Sequence, residues 1–193
     1  MCLLLCRASL VCGHVLRRQA ALLLTDPLPL IVLTPKSLLR HPFVASTPNE
    51  LATGRWQPVI DDAGVADPSK VTRLIVCSGK VAVDLLTHPD RAAQSHVAIC
   101  RVEQVYPFPS AALGDVCPRY KRLKEVVWMQ EEPENMGAWE FVQPLLREAV
   151  AGLPVSVVAR PRSSSPAEGS AARHAQNQER LIARTWTTQR SKR

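Results

Sequence analysis

The 193-residue sequence lacks most of the short motifs that identify a self-contained enzyme. Its six cysteines form no CxxC pair, and its five histidines are scattered without ligand spacing, which argues against a zinc site. There is no GxGxxG dinucleotide fingerprint and no GxSxG nucleophile turn. The lysine of "CSGKV" lacks the Ser or Thr that completes a phosphate loop. The sequence therefore predicts no metal site and no catalytic residues of its own.

Glycine, aromatic residues and long apolar runs are also scarce. There are 8 glycines against 16 prolines, which indicates stiff connecting segments. No run approaches the roughly 18 apolar residues of a membrane span. The net charge of +7 would suit nucleic acid, but much of the excess lies in residues 180–193. Since no zinc-finger spacing or aromatic RNA-binding signature accompanies that charge, we expect neither a nucleic-acid partner nor a membrane partner.

Apolar runs alternate with helix-like segments in the second two thirds of the chain. Strands are predicted at residues 71–78, 96–103, 125–130 and 155–159, and helices at residues 81–86, 110–120, 138–150 and 177–186. We expect Ser110 to cap the second of these helices. Such alternation predicts a small open α/β domain whose mostly parallel sheet has helices on both faces. Residues 37–69 form an irregular, proline-rich linker, preceded by a helix at residues 14–24 and a strand at residues 28–36.

Polar residues follow each predicted strand, and parallel strands place their carboxyl ends along one edge, where ligands of such sheets bind. We call this edge the rim, and its polar residues are Ser78, Gly79, Lys80, Glu103, Gln104, Gln130, Glu131, Glu132, Arg160 and Arg162. Adjacent Glu131 and Glu132 point to opposite faces of an extended chain, which makes them a poor general acid and base. We therefore expect Glu103, Glu131, Glu132 and Trp139 to serve the rim or a subunit interface.

Several long segments of the sequence, in the order in which they occur, are typical of one family. They are "TPKSLLRHP" (34–42), "QPVIDD" (57–62), "VCSGK" (76–80), "VAICRVEQVYPFP" (97–109), "VVWMQEEPENMGAW" (126–139) and "RPRSSSPAEGS" (160–170). From about residue 14 to 186, the chain closely resembles the carboxyl-terminal region of the first component of 2-oxoglutarate dehydrogenase. The resemblance implies a transketolase carboxyl-terminal-type domain at residues 70–187. Residues 1–36 would then be a remnant of the preceding pyrimidine-binding-type domain, residues 37–69 a linker, and residues 188–193 a basic tail.

The resemblance also implies an activity for the whole enzyme. Enzymes of this family are oxidoreductases of the citric acid cycle that decarboxylate 2-oxoglutarate on thiamine diphosphate and magnesium. They are homodimers and succinylate the lipoyl group of a partner succinyltransferase. The GDG and Asn signature that holds the diphosphate is absent here, and the family's catalytic histidines cannot be matched. We therefore expect a fragment that is inactive alone, binds no cofactor, and contributes dimerisation and structural support to the rest of the dehydrogenase.

Regulation at the rim is a further expectation from the resemblance, since some members respond to acetyl-coenzyme A or to adenine nucleotide at this domain. We predict an anion site for acetyl-coenzyme A or AMP made by Lys80, Arg160 and Arg162, with Ser78 and Gln130 as neutral neighbours. The plainer alternative is that the glutamates of the rim only neutralise these cations. We also expect exposed aromatic residues to drive association of the chain, and these are Tyr106, Trp128, Trp139 and Phe141.

Two other identities and two locations stay open. The 2-oxoadipate dehydrogenase paralogue has a similar carboxyl region, and a stand-alone nucleotide-binding regulatory module would need no upstream domains. The amino-acid sequence of residues 160–170 favours a bacterial cytoplasmic protein. The arginine-bearing, acid-free start keeps the mitochondrial matrix open as an alternative.

Overall fold

A computed structural model describes residues 2–5, 9–22, 29–33, 35–38, 40–150 and 152–187. The amino-terminal third contains β1 (Cys2–Leu5), α1 (Ser9–Leu22), β2 (Leu30–Leu33), α2 (Pro48–Thr53) and β3 (Val59–Ile60). The remainder contains β4 (Arg73–Cys77), α3 (Lys80–Thr87), β5 (Val97–Val102), β6 (Gln104–Tyr106), α4 (Ser110–Gly114), β7 (Glu125–Pro133), α5 (Trp139–Ala149), β8 (Val155–Arg160) and α6 (Ala171–Trp186). The predicted basic tail lies outside the described residues.

A five-stranded sheet in the order β3-β5-β4-β7-β8 organises the chain from Val59 onward. The four longer strands are parallel, with Val76 of β4 opposite Cys100 of β5 and Trp128 of β7. Short β3 runs antiparallel to β5 at the edge, with Ile60 opposite Arg101. The predicted open, mostly parallel α/β sheet is confirmed.

Helices cover both faces of this sheet and give it two cores. On one face, strand residues such as Val76 and Trp128 pack with Leu113 of α4 and with Val142 and Leu146 of α5. On the other face, the core residues are Ile75, Ile99, Val127, Val81, Leu85, Leu181 and Ile182, the last four from α3 and α6. Strands buried on both sides explain why the sequence shows continuous apolar runs rather than alternation.

The segment at residues 37–69, expected to be irregular, contains ordered elements. Thr47 and Glu50 form a reciprocal capping box at the start of α2. β3 belongs to the sheet, and the carboxylate of Asp62 just after it accepts hydrogen bonds from the backbone N–H groups of Gly64 and Ile99 at 2.9 and 3.0 Å. Asp62 also pairs with Arg91 at 2.7 Å. These contacts join the end of the segment to β5.

A second, three-stranded sheet has the order β2-β1-β6. β1 runs parallel to β2 and antiparallel to β6, with Leu3 opposite Tyr106. The sequence predicted β2 but neither β1 nor β6.

Two local expectations were wrong. Ser110 is not a cap, because α4 begins at Ser110 after Pro109 and no side chain caps it. Trp128 and Trp139 are buried, at 1% and 6% exposure, so they offer no surface for association. Both indole rings fill the core between the sheet and α5, where burial of a large aromatic side chain contributes most to stability.

Candidate functional site

The turn after β4 begins the rim. Ser78 donates from its hydroxyl group to the backbone carbonyl of Val102 at 2.6 Å, which ties the ends of β4 and β5 together. Gly79 follows with φ of 72°, a left-handed conformation that favours glycine, and it starts α3. Ser78 therefore uses its hydroxyl proton within the fold.

Lys80 lies among carboxylates. Its ammonium group pairs with Asp84 one turn further along α3 and lies 3.8 Å from Oε1 of Glu131. Asp84 also accepts a hydrogen bond from the side chain of Gln178 at 3.0 Å. Burial raises the pKa of Glu131, and the nearby charge of Lys80 opposes that shift. Lys80 therefore lies against two carboxylates of the domain, with Asp84 nearer than Glu131.

Gln130 is the hydrogen-bonding centre of the turn between β7 and α5. Its Oε1 accepts from the indole N–H of Trp128 and from the backbone N–H of Trp139, both at 3.0 Å. Its Nε2 donates to the carbonyls of Pro133 at 3.0 Å and Met136 at 2.7 Å. All four bonds lie within the protein, so the amide holds the turn in place.

Gly137 completes that turn with φ of 70°. A Cβ atom at this position would lie 3.1 Å from Nε2 of Gln130 and 3.1 Å from Cβ of Glu132. Only glycine fits both the left-handed backbone and this close approach. The segment "QEEPENMGAW" thus specifies a well-defined turn. Glu132 is exposed on the outside of this turn.

Arg160 and Arg162 lie at the other end of the rim, in a groove of about 460 Å³ between the end of β8 and α6. The groove is lined by one glutamate, Glu168, and five arginines, which are Arg160, Arg162, Arg173, Arg180 and Arg184. Arg160 lies 3.6 Å from Glu168 and contacts Nδ1 of His174 at 3.1 Å. Lys80 does not line this groove, so the structure divides the predicted set between two places.

Glu103 is the deepest carboxyl group of the rim, at 1% exposure. Oε1 of Glu103, which directly follows β5, lies 3.7 Å from Nε of Arg101 near the end of that strand, and its Oε2 has no partner among the described residues. Burial raises the pKa of Glu103 to about 7, while the charge of Arg101 opposes the rise. The group is therefore partly protonated at neutral pH.

This pKa gives Glu103 a predictable effect on stability. Below pH 4.5 the carboxyl is protonated in both states, and above about 7 it is ionised in both. Between these values only the unfolded state loses the proton, so the free energy of unfolding falls as pH rises. Urea unfolding at pH 5 and pH 8 measures this effect. The free energy of unfolding of Glu103→Gln, relative to that of wild type, should be roughly 2–3 kcal/mol higher at pH 8 than at pH 5. Exposed Glu148→Gln is the control, and parallel curves for Glu103→Gln and wild type would contradict the prediction.

Tyr106 and Phe141 form an exposed aromatic pair beside the rim. Their ring centroids are 5.9 Å apart, and their exposures are 45% and 42%. They remain from the four aromatic residues expected to support association. In the ranges that the structure describes, no helix could cross a membrane and no cluster of three or more metal-ligating side chains occurs.

Three residues that shape these surfaces were not singled out in the sequence. Asp62 stands in the "DDAG" turn, which signals a local Asx turn but not its long-range bonds to Arg91 and Ile99. Arg101 lies 3.7 Å from Glu103, a contact that their two-residue spacing could have suggested. Glu168 gives no local signal, since its groove forms only when α6 packs beside β8.

Comparison with known proteins gives a consistent result. A family model described as "2-oxoglutarate dehydrogenase C-terminal" matches residues 45–186. The "2-oxoglutarate dehydrogenase E1 component" of Bacillus subtilis (strain 168) is 44% identical over 179 residues, which cover 90% of this chain and 19% of that protein. The protein of the same name from Geobacillus kaustophilus is 46% identical over 173 residues, 88% of this chain and 18% of that protein. The chain spans about one fifth of the length of these relatives.

Proposed function

Because this chain belongs to the 2-oxoglutarate dehydrogenase carboxyl-terminal family, we propose that it acts as the carboxyl-terminal domain of a first component of that dehydrogenase. The whole enzyme would decarboxylate 2-oxoglutarate on thiamine diphosphate and magnesium and succinylate the lipoyl group of a succinyltransferase. The 44% identity over 90% of the chain is the observation that carries this proposal. The resemblance to the oxoglutarate enzyme also covers the turn between β7 and α5 and the loop after β8.

The domain's own contribution is structural support and assembly. Three side chains of the rim use their polar groups in contacts inside the domain, and these are Ser78, Lys80 and Gln130. These internal contacts support a structural role for the rim. The exposed Tyr106–Phe141 pair supports a role in dimerisation or in packing against the rest of the dehydrogenase, because clustered exposed aromatic residues mark interaction sites.

Regulation by acetyl-coenzyme A or AMP is a second proposal, and the arginine groove is the observation that favours it. Five arginines against one glutamate leave an excess of positive charge, and the forked donors of arginine suit phosphate groups. Arg160 and Arg162 would hold the anion there. Lys80 is occupied by Asp84 and Glu131 and would contribute less. The bacterial cytoplasm, with the mitochondrial matrix as the alternative, stays our prediction for the location.

A chimera tests the proposed function. In the Bacillus subtilis protein, the matching carboxyl-terminal segment would be replaced by residues 45–186 of this chain. We expect the chimera to release carbon dioxide from 2-oxoglutarate with thiamine diphosphate and magnesium, whereas the same protein without the segment, and this chain alone, should not.

Three outcomes separate the alternatives. A chimera that folds and dimerises like its parent but releases no carbon dioxide would contradict the proposal. Turnover by this chain alone would show that it is not a dependent domain. Tight AMP binding by this chain alone, with an inactive chimera, would favour the stand-alone module.

A further inference from the structure

A cavity of about 730 Å³ lies away from the rim, at the edge of the sheet where β3 pairs with β5. It is enclosed by the segment at residues 43–50, the loop at residues 60–67, the end of α3 and the outer part of β5. Its walls are largely apolar, and they include Val44, Ile60, Val65, Leu86 and Ile99. The volume falls within the range of pockets that hold small organic molecules, roughly 300–1,000 Å³.

Most charged groups at this cavity are already satisfied within the chain. Asp61 accepts from Tyr120 through one oxygen and pairs with Arg119 through the other. Asp62 likewise uses both oxygens in the contacts described above. Lys70 lies 3.7 Å from Asp67. Asp61 and Asp62 therefore have little capacity left for a ligand, and Lys70 is 66% exposed and hydrated by solvent.

Arg101 is the exception among them. Its side chain lines the cavity and is 15% exposed. Its guanidinium group donates no hydrogen bond to the part of the chain that the structure describes, because Glu103 at 3.7 Å is beyond hydrogen-bond distance. None of its nitrogens is a fully buried atom without a partner, so these N–H groups are accessible to an acceptor that enters the cavity.

Glu103 is a weak competitor for these donors. Its side chain is 2% exposed and does not line the cavity, and its Oε1 is 3.7 Å from Nε of Arg101. Burial raises the pKa of Glu103 to about 7, so a fraction of the group carries no charge at neutral pH. The guanidinium group consequently keeps its outer N–H groups for an acceptor in the cavity.

We propose that this cavity binds a small molecule made of an apolar body and one terminal oxyanion, a carboxylate or a phosphate, with Arg101 holding the oxyanion. The planar fork of arginine binds both groups through two parallel hydrogen bonds. The apolar walls accept the body of the ligand, since contact with them removes apolar surface from water. The cavity lining shares no residue with the arginine groove, and Glu103 is the one rim residue that contacts Arg101. The site does not depend on the proposed function.

Titration of the full chain with simple probes tests the proposal. The probes are benzoate, phenyl phosphate and neutral benzyl alcohol, followed by NMR of the Arg101 Nε–Hε group and of the Ile60 and Ile99 amides. We expect both anions to shift these three signals and to bind at least about 10-fold more tightly than the alcohol. The ratio of the two anion affinities identifies the preferred oxyanion.

Variants then assign the binding to Arg101. Arg101→Lys keeps the charge without the fork and should weaken anion binding at least about 10-fold. Glu103→Gln removes the competing carboxylate and should strengthen it about 3-fold. Arg122→Lys, an exposed position outside the cavity, is the matched control and should change nothing.

Two results would overturn the site. One is equal binding of the anions and the alcohol to the wild type, or no shift up to the solubility of the probes. The other is anion binding that Glu103→Gln weakens rather than strengthens. Both measurements remain decisive if Arg101→Lys does not fold, because neither uses that variant.

Discussion

Replacement of Gln130 by alanine is expected to lower the free energy of unfolding by about 3–5 kcal/mol. The amide makes four hydrogen bonds, to the Trp128 indole, to the backbone N–H of Trp139, and to the carbonyls of Pro133 and Met136. Alanine leaves these buried partners without theirs, and each orphaned group costs about 1–3 kcal/mol before the chain relaxes. Urea unfolding followed by tryptophan fluorescence measures the loss, because both indoles adjoin the site.

Gln130→Glu refines this test. The carboxylate keeps the shape of the side chain but replaces the Nε2 donor with an oxygen that faces the carbonyls of Pro133 and Met136. We expect a loss comparable to that of alanine. Gln176→Ala on the exposed face of α6 serves as the control and should stay within about 0.5 kcal/mol of wild type. Losses below 1 kcal/mol in both Gln130 variants would show that the turn does not depend on the amide.

Replacement of Asp62 by alanine should be similarly damaging, at about 3–5 kcal/mol, since it breaks a buried ion pair and leaves one charge uncompensated. The Asp62 side chain is 1% exposed and pairs with Arg91, which is 17% exposed, at 2.7 Å. It also accepts from the N–H groups of Gly64 and Ile99. Beyond the global loss in urea, we expect faster hydrogen exchange at the Gly64 and Ile99 amides.

Asp90→Ala provides the comparison, because Asp90 is 65% exposed and lies 3.8 Å from His88. Its loss should not exceed about 1 kcal/mol. If the two aspartate variants unfolded at the same urea concentration, the role assigned to Asp62 would be refuted.

The main sheet could be predicted because its strands carry their own signal. Residues such as Ile75, Val76, Ile99 and Val127 are β-branched, are buried on both faces, and stand in short runs bounded by turns, which is the pattern of a central parallel strand. β3 and β6 could not be predicted in this way. They have two and three residues, and each exists through its partner strand rather than through its own composition.

The location of the rim could be predicted, because topology alone brings the strand ends together. The hydrogen bonds and ion pairs of its side chains could not be predicted. Gln130 was expected to be a neutral neighbour of an anion, and nothing in the sequence shows that the turn at Gly137 folds four partners around its amide. The position of Lys80 against Asp84 was readable in hindsight, since the four-residue spacing places the two on one face of α3. Arg160 and Arg162 share a groove because of α6, whose packing angle no local pattern specifies.

The outer edge of β8 affects how well this protein resists aggregation. β8 is the last strand of the sheet, and none of the described strands pairs with its outer side. An open edge is a template on which another chain can add a strand, the first step of aggregation. Here Pro161 directly after the strand supplies no N–H group, and Arg184 already donates to the carbonyl of Ala159 at 3.2 Å, which together limit the length of an added strand. Arg160 places a charge at the end of that stretch. Pro161, Arg160 and Arg184 therefore also protect the sheet against uncontrolled growth.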